Sequence, residues 1–273
     1  MFHKFWPEQR TTRRKRHNDA VTNRDDGFLR WLEALEQRHL RNLNFSEVRR
    51  GVQALSSLYV SRRQRLDRNS ALDGAGKRAA FAMFFGPLHF LLVRRIVRAL
   101  GARVSSGITV LDIGCGTGVA GAAWALGASP APNLLGIDRN SWALHECKWT
   151  YQQLGIEGKV KAADLNILHI PPHTAVIAAF TINELDRAVQ ARFRVDLLAA
   201  AQRNVPVLII EPIARQLTSW WDEWARDWKA AGGREDEWRF AVELPERLAL
   251  MDRAAGLDHR ELTGRSLWLP GQL

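Results

Sequence analysis

Three glycines at alternate positions, Gly114, Gly116 and Gly118, follow the carboxylate of Asp112 in the stretch 108–118, I-T-V-L-D-I-G-C-G-T-G. Glycines in such a turn adopt backbone angles that a side chain forbids. A turn of this kind at a helix N-terminus is where α/β folds hold nucleotide-like ligands. A P-loop is excluded: Gly116 and Gly121 have its separation, but Ala122 and Ala123 follow where a lysine must reach the phosphates. Gly116, Gly118 and Gly121 spell a dinucleotide fingerprint, with Asp138 20 residues beyond Gly118. Against it, the strand runs into Gly114, and a carboxylate at Asp112 repels a pyrophosphate. Asp112 suits a cationic ligand better. Asp138 ends the next apolar run, 24 residues after Gly114, and a carboxylate can accept hydrogen bonds from two adjacent hydroxyls.

The elements that must position these groups follow from local pattern. β-Branched Ile108, Thr109, Val110 and Ile113 predict a strand over 108–113, and Ala-rich 117–126 a helix. Strands at 133–138, 159–163, 174–180 and 205–210 then alternate with helices at 141–154 and 187–202, the order of a doubly wound, mostly parallel sheet. The strand at 174–180 is apolar throughout, as a strand buried on both faces must be. Asp164-Leu165 follows the third strand, Phe180 to Glu184 (F-T-I-N-E) follows the fourth, and Glu211-Pro212 the fifth. The Trp-rich stretch 215–231 sets Trp220 or Trp221, Trp224 and Trp228 at helical spacing, which favours core over substrate contact. A short strand at 238–242 and a helix at 245–255 come next. Two strands, 257–262 and 266–269, around Gly264 predict an antiparallel hairpin at the sheet edge.

Ahead of the sheet the spacing predicts helices at 28–43, at 47–64 with Ser46 as cap, at 77–85, and, after a break at Gly86-Pro87, at 88–100. Residues 1–24, with Arg13, Arg14, Lys15 and Arg16 in a row, predict a disordered basic tail. The expected organisation is therefore a tail over 1–24, a small helical region over 25–104, and an α/β domain over 105–273 with a Trp-rich helical insert at about 214–244.

The net charge of +10 is unevenly placed: residues 1–100 carry 21 Lys and Arg against 9 Asp and Glu, and residues 101–273 carry 18 against 20. A basic region on a neutral core suggests a polyanionic partner, RNA or a ribosomal subunit, beside a small-molecule site. The longest apolar run, 81–93, contains Gly86, Pro87 and His89 and is shorter than the roughly 20 residues of a membrane span. No membrane partner and a cytoplasmic location are the expectation. Two cysteines, Cys115 and Cys147, make neither a disulfide framework nor a metal cage, and Pro171-Pro172 between His169 and His173 excludes a helical ligand pair. No metal is expected.

D-x-G-x-G-x-G after a first strand resembles motif I of the class I S-adenosylmethionine-dependent methyltransferases. The resemblance runs over about 105–270 and implies a Rossmann-like methyltransferase sheet with S-adenosyl-L-methionine as cofactor. It places Asp112, Gly114, Gly116 and Gly118 around the methionine and ribose, Asp138 on the ribose hydroxyls, Asp164 and Leu165 at the adenine, and Phe180 beside the methyl-transfer site. Asn183 and Glu184 are then the candidate catalytic pair, Glu184 as base or orienter and Asn183 as a hydrogen-bonding group. The segment Thr181 to Leu185 lacks the Pro-Pro-aromatic of enzymes that methylate exocyclic base nitrogens. Phe180 to Leu185, Glu211-Pro212 and L-S-x-x-Y at 55–59 are similar to the methyltransferase-like proteins of the small ribosomal subunit, which implies binding to its rRNA. The cysteine cluster of the mitochondrial members is absent from this chain. Methylation of a small molecule or protein, and a non-catalytic cofactor-binding assembly factor, are the alternatives.

Overall fold

The computed structural model describes residues 26–61, 72–105, 107–163, 170–214 and 218–271. The basic tail, Arg62, Arg63 and Arg65 of the second predicted helix, and Asp164 and Leu165 lie outside the described residues.

The chain opens with α1 (Asp26–His39) and α2 (Phe45–Ser61). Asn44, not Ser46, caps α2: Asn44 Oδ1 accepts from the Glu47 N–H at 3.0 Å, and Glu47 Oε2 accepts from the Asn44 N–H at 2.8 Å. This reciprocal box satisfies two N–H donors at the helix start. Next come α3 (Ala75–Ala80), a π-helical turn (Phe81–Phe85) and α4 (Gly86–Leu100), continuous where the sequence predicts a break at Gly86-Pro87. The π turn explains the difference. Gly86 N–H donates to the Phe81 carbonyl, five residues back. Pro87 thereby falls in the first turn of α4, where its missing N–H costs nothing. The run 75–100 is long and apolar enough to cross a membrane by length and composition, but 78% of its most apolar window is buried within the protein.

The sheet contains β1 (Thr109–Ile113), β2 (Asn133–Asp138), β3 (Gly158–Ala162), β4 (Thr174–Ala179), β5 (Val207–Glu211), β6 (Arg234–Ala241) and β7 (Glu261–Leu269), in the order β3-β2-β1-β4-β5-β7-β6. β3, β2, β1, β4 and β5 pair in parallel, and β7 runs antiparallel to both β5 and β6. The antiparallel edge is formed by β6 and β7, which are joined through α9 (Glu246–Ala254). Gly264 lies inside β7 rather than at a turn; a Cβ there would come within 3.1 Å of Leu92 Cδ2, so glycine lets α4 approach the strand.

Helices α5 (Val119–Ala125) and α6 (Ser141–Gln153) follow β1 and β2, while α7 (Arg187–Gln202) and α8 (Trp221–Ala230) flank β5 in sequence. The hydrophobic core divides into two clusters. One joins Phe28, Trp31, Val52, Phe84 and Phe90 of the N-terminal helices to Val110, Trp124, Ile177 and Trp268. The other joins Ile113, Val176 and Ile209 to Phe193, Leu197 and the tryptophans of α8. Trp221, Trp224 and Trp228 are core, each 2% exposed or less. The N-terminal helices therefore share one core with the sheet.

Candidate functional site

The strand order reverses between β1 and β4, because β1 is followed outward by β2 and β3, and β4 by β5. A crevice opens at such a switch point, beyond the carboxyl ends of the strands. The glycine turn lies there. Gly114, Gly116 and Gly118 all have positive φ, at 65°, 52° and 80°. At Gly114 space adds a second constraint: a Cβ would stand 2.4 Å from Thr181 Cγ2. Thr181 Oγ1 in turn donates to the carbonyl of Ile113 at 3.0 Å. The end of β4 and the first glycine are thus pinned together.

Asp138 builds the other half. Its Oδ2 accepts from the Gly116 N–H at 2.9 Å and its Oδ1 from the Asn140 N–H at 2.8 Å. Asn140 then caps α6 by accepting from the Ala143 N–H. A carboxylate offers about four acceptor positions. Two are used, so each oxygen of half-buried Asp138 keeps one for a vicinal diol. The residues present fit a ribose.

Asp112 takes a different place from the one its motif suggests. It is 1% exposed and lies under the turn, its Oδ2 accepting from the Gly121 N–H of α5 at 2.8 Å. Burial raises its pKa to about 7, with the Asp138 charge adding to the rise and the Gly121 N–H opposing it. Asp112 thus holds the first turn of α5 against β1 from beneath the glycine turn.

After β4 the chain makes a short 3-10 turn (Ile182–Glu184). Phe180, with φ at +57°, stands where bulky residues are rarely found. The ring of His89 on α4 stacks on it at 4.0 Å between centroids. Asn183 is fixed at both ends of its amide: Nδ2 donates to Glu211 Oε2 at 2.7 Å, and Oδ1 accepts from Trp220 Nε1 at 2.9 Å. An indole N–H only donates, so Trp220 fixes the Asn183 amide with its oxygen toward the indole and its nitrogen toward Glu211. One N–H of the Asn183 amide remains for a ligand. Glu211, fully buried at the end of β5, also accepts from the Ile182 and Asn183 N–H groups. Burial pushes its carboxyl up to about 8, against the pull of those donors and of Arg265. Glu184 is half-buried on the same turn. Neither Asn183 nor Glu184 caps α7; Asp186 does, accepting from the Val189 N–H at 2.9 Å.

The structure therefore brings Asp138, the three glycines, Phe180, Asn183 and Glu184 to one end of the sheet. It adds residues that the motifs do not mark. Phe81 of the π turn faces Gly116, whose added Cβ would lie 3.6 Å from the Phe81 ring. Gly86 abuts Thr117 and Val119, and Arg78 lies over the Trp142 ring at 5.7 Å. Glu211 and Trp220 set Asn183. For Glu211 the signal is its position at the carboxyl end of a strand; for Phe81 and His89 no local pattern gives one. Among the described residues no cluster of His, Cys, Asp or Glu could hold a metal ion.

Residues 104–190 match the family model of a methyltransferase domain. Among curated proteins nothing matches the sequence. Among solved structures, the chain is similar to an S-adenosylmethionine-dependent methyltransferase from Aquifex aeolicus, at 17% identity over 75% of this chain and 100% of that one, with a TM-score of 0.45. It is similar also to a Pyrococcus abyssi tRNA (uracil-54, C5)-methyltransferase, at 16% identity and a TM-score of 0.41, over 64% of this chain and 37% of that one. A third likeness is a precorrin-6y C5,15-methyltransferase from Geobacter metallireducens, at 13% identity and a TM-score of 0.42, over 64% of this chain and 86% of that one. One of these names an RNA substrate and another a small molecule, and likenesses this distant assign neither to this chain.

Proposed function

We propose, from the premise that this chain is an S-adenosylmethionine-dependent class I methyltransferase, that its acceptor is RNA, and specifically rRNA of the small ribosomal subunit. The observation that carries the reading is the placement of the basic third. Residues 1–100 hold 21 of the 39 Lys and Arg. Their described helices meet the glycine turn through Phe81 at Gly116 and α6 through Arg78 at Trp142. Arg30, Arg50 and Arg98 are exposed on them, and Arg41 in the turn between α1 and α2. Arg78 is exposed over Trp142 of α6, the helix that starts beside Asp138, so a polyanion that reaches it lies next to the crevice.

S-adenosylmethionine supplies an already activated methyl group, so the protein's share is binding, alignment and exclusion of water. Asp138 and the N–H groups of the glycine turn hold the ribose side. Asp112 keeps the turn in shape from below. At the β4 end, Glu211 and Trp220 set Asn183 so that its remaining N–H faces an acceptor. Glu184 is the carboxylate on that turn that takes an acceptor proton. Retention on the small subunit and a cytoplasmic location belong to the same proposal.

Incubation with tritiated S-adenosylmethionine and separated RNA, protein and small-molecule fractions of a cell extract tests it. Label in small-subunit rRNA is the expected result. Label in protein or small molecules overturns the RNA reading. RNA binding without label in any fraction favours the non-catalytic assembly factor.

A further inference from the structure

The pair formed by His89 and Phe180 is not explained by cofactor binding or by core packing alone. Phe180 occupies a left-handed backbone conformation that a bulky residue adopts only under strain. Such strain persists where surrounding structure over-determines it, and it collects at functional sites. Here its neighbours impose it. The Phe180 N–H donates to the Ile210 carbonyl at 2.8 Å, Thr181 is pinned to the Ile113 carbonyl, and the His89 ring lies against the Phe180 ring with 20° between planes.

His89 reaches this point from the N-terminal side. It is one helical turn beyond Gly86, which abuts Thr117 of the glycine turn. The imidazole lies against the end of β4 through Phe180, on the helix whose first residue abuts the glycine turn. It is half-buried, and its ring nitrogens make no hydrogen bond among the described residues. The other polar side chains that line the crevice, Asp138 and Asn183, are held by hydrogen bonds, as are buried Asp112 and Glu211.

We propose that His89 is an acceptor-binding residue, its imidazole accepting a hydrogen bond from the N–H or O–H of the group to be methylated, with Phe180 holding the ring in place. The inference rests on the reading that the glycine turn binds S-adenosylmethionine. Burial lowers the His89 pKa to about 4, so the ring is neutral near pH 7 and keeps one nitrogen as an acceptor. A wall of stacked flat rings suits a planar acceptor, in keeping with a nucleobase.

Two cofactor analogues test this without a known acceptor: S-adenosylhomocysteine, and an analogue with an amine in place of the sulfonium methyl. The amine stands where the acceptor would meet the methyl group. Binding is measured by calorimetry for the wild type, His89→Phe and His89→Asn, and the His89 ring protons are followed by NMR in the wild type. The expected result is that the amine analogue shifts the His89 resonance while S-adenosylhomocysteine leaves it nearly unmoved. His89→Phe keeps the stack, and should weaken the amine analogue about tenfold while leaving S-adenosylhomocysteine within about twofold. If both analogues bind and neither moves the resonance, or if His89→Phe weakens both equally, the acceptor role is overturned and the cofactor reading stands. If neither binds the wild type, the cofactor reading itself fails and takes this inference with it.

Discussion

Asp138 connects two parts of the site through one carboxylate, the glycine turn through Gly116 and the start of α6 through Asn140, and in the proposed function its remaining lone pairs take the ribose hydroxyls. Asp138→Ala should therefore lower S-adenosylhomocysteine affinity by roughly 30- to 100-fold by calorimetry, and reduce Tm, since hydrogen bonds to a charged group are each worth about 1.5–3 kcal/mol. Unchanged affinity would remove Asp138 from the site. Glu211→Gln tests the Asn183 network. Above about pH 8, where the Glu211 carboxyl is ionised, the new amide sets one N–H against groups that already donate, so the turn after β4 should loosen there at a cost of about 1–3 kcal/mol. The Trp220 indole resonance should shift with it. Glu184→Gln should lower methyl transfer to RNA while leaving cofactor affinity unchanged; full turnover would exclude Glu184 as the base. Asp112 makes stability depend on pH. Its pKa rises from 3.8 to about 7 on folding, so the folded chain holds this proton more tightly than the unfolded one. The stabilisation is complete below about pH 4 and is lost as pH rises through about 7. Asp112→Asn retains an oxygen for the Gly121 N–H and should show a smaller fall in Tm between about pH 5 and pH 8 than the wild type.

At the scale of elements, the site depends on how closely a few of them approach. Gly114→Ala places a methyl group 2.4 Å from Thr181 and leaves a positive φ, so it must part the glycine turn from β4. The expected outcome is loss of cofactor binding together with a lower Tm. Local pattern gives β2 and α7 with their observed bounds, because apolar runs and turn residues mark them sharply. It gives α2 one cap too late, because Asn44 and Ser46 are both good caps and only the reciprocal bond with Glu47 selects between them. It breaks the helix at Gly86-Pro87, because a π turn has no composition of its own. It places a turn at Gly264, where the glycine instead makes room for Leu92.

Over the whole molecule, the N-terminal helices are structural members of the α/β domain. Phe28, Trp31, Val52 and Phe90 join the same apolar cluster as Val110 and Trp268. Arg38 holds the carboxylate of Glu146 on α6 through two nitrogens, at 2.8 and 3.0 Å. Removal of residues 1–100 strips one face of the sheet, and should give a chain without a cooperative thermal transition. It cannot serve to isolate RNA binding. Removal of residues 1–24 is the separable test: Tm should hold while RNA affinity falls and its salt dependence becomes shallower, by close to one unit of slope for each phosphate that the basic tail no longer neutralises.

The sequence by itself determined the doubly wound sheet, the glycine turn, the acidic residue at the end of β2 and the uneven charge. All of these are local: a strand's composition, a turn's need for positive φ, a carboxylate at a strand end. Only the tertiary structure decided that Asp112 supports the turn from below, that Glu211 and Trp220 fix Asn183, and that His89 and Phe81 stand at the crevice. Asp112 and Gly121 are nine residues apart, and the other placements join residues tens of positions apart. They are set by how α4 packs across the sheet and how far β4 and β5 extend, which no window of sequence contains.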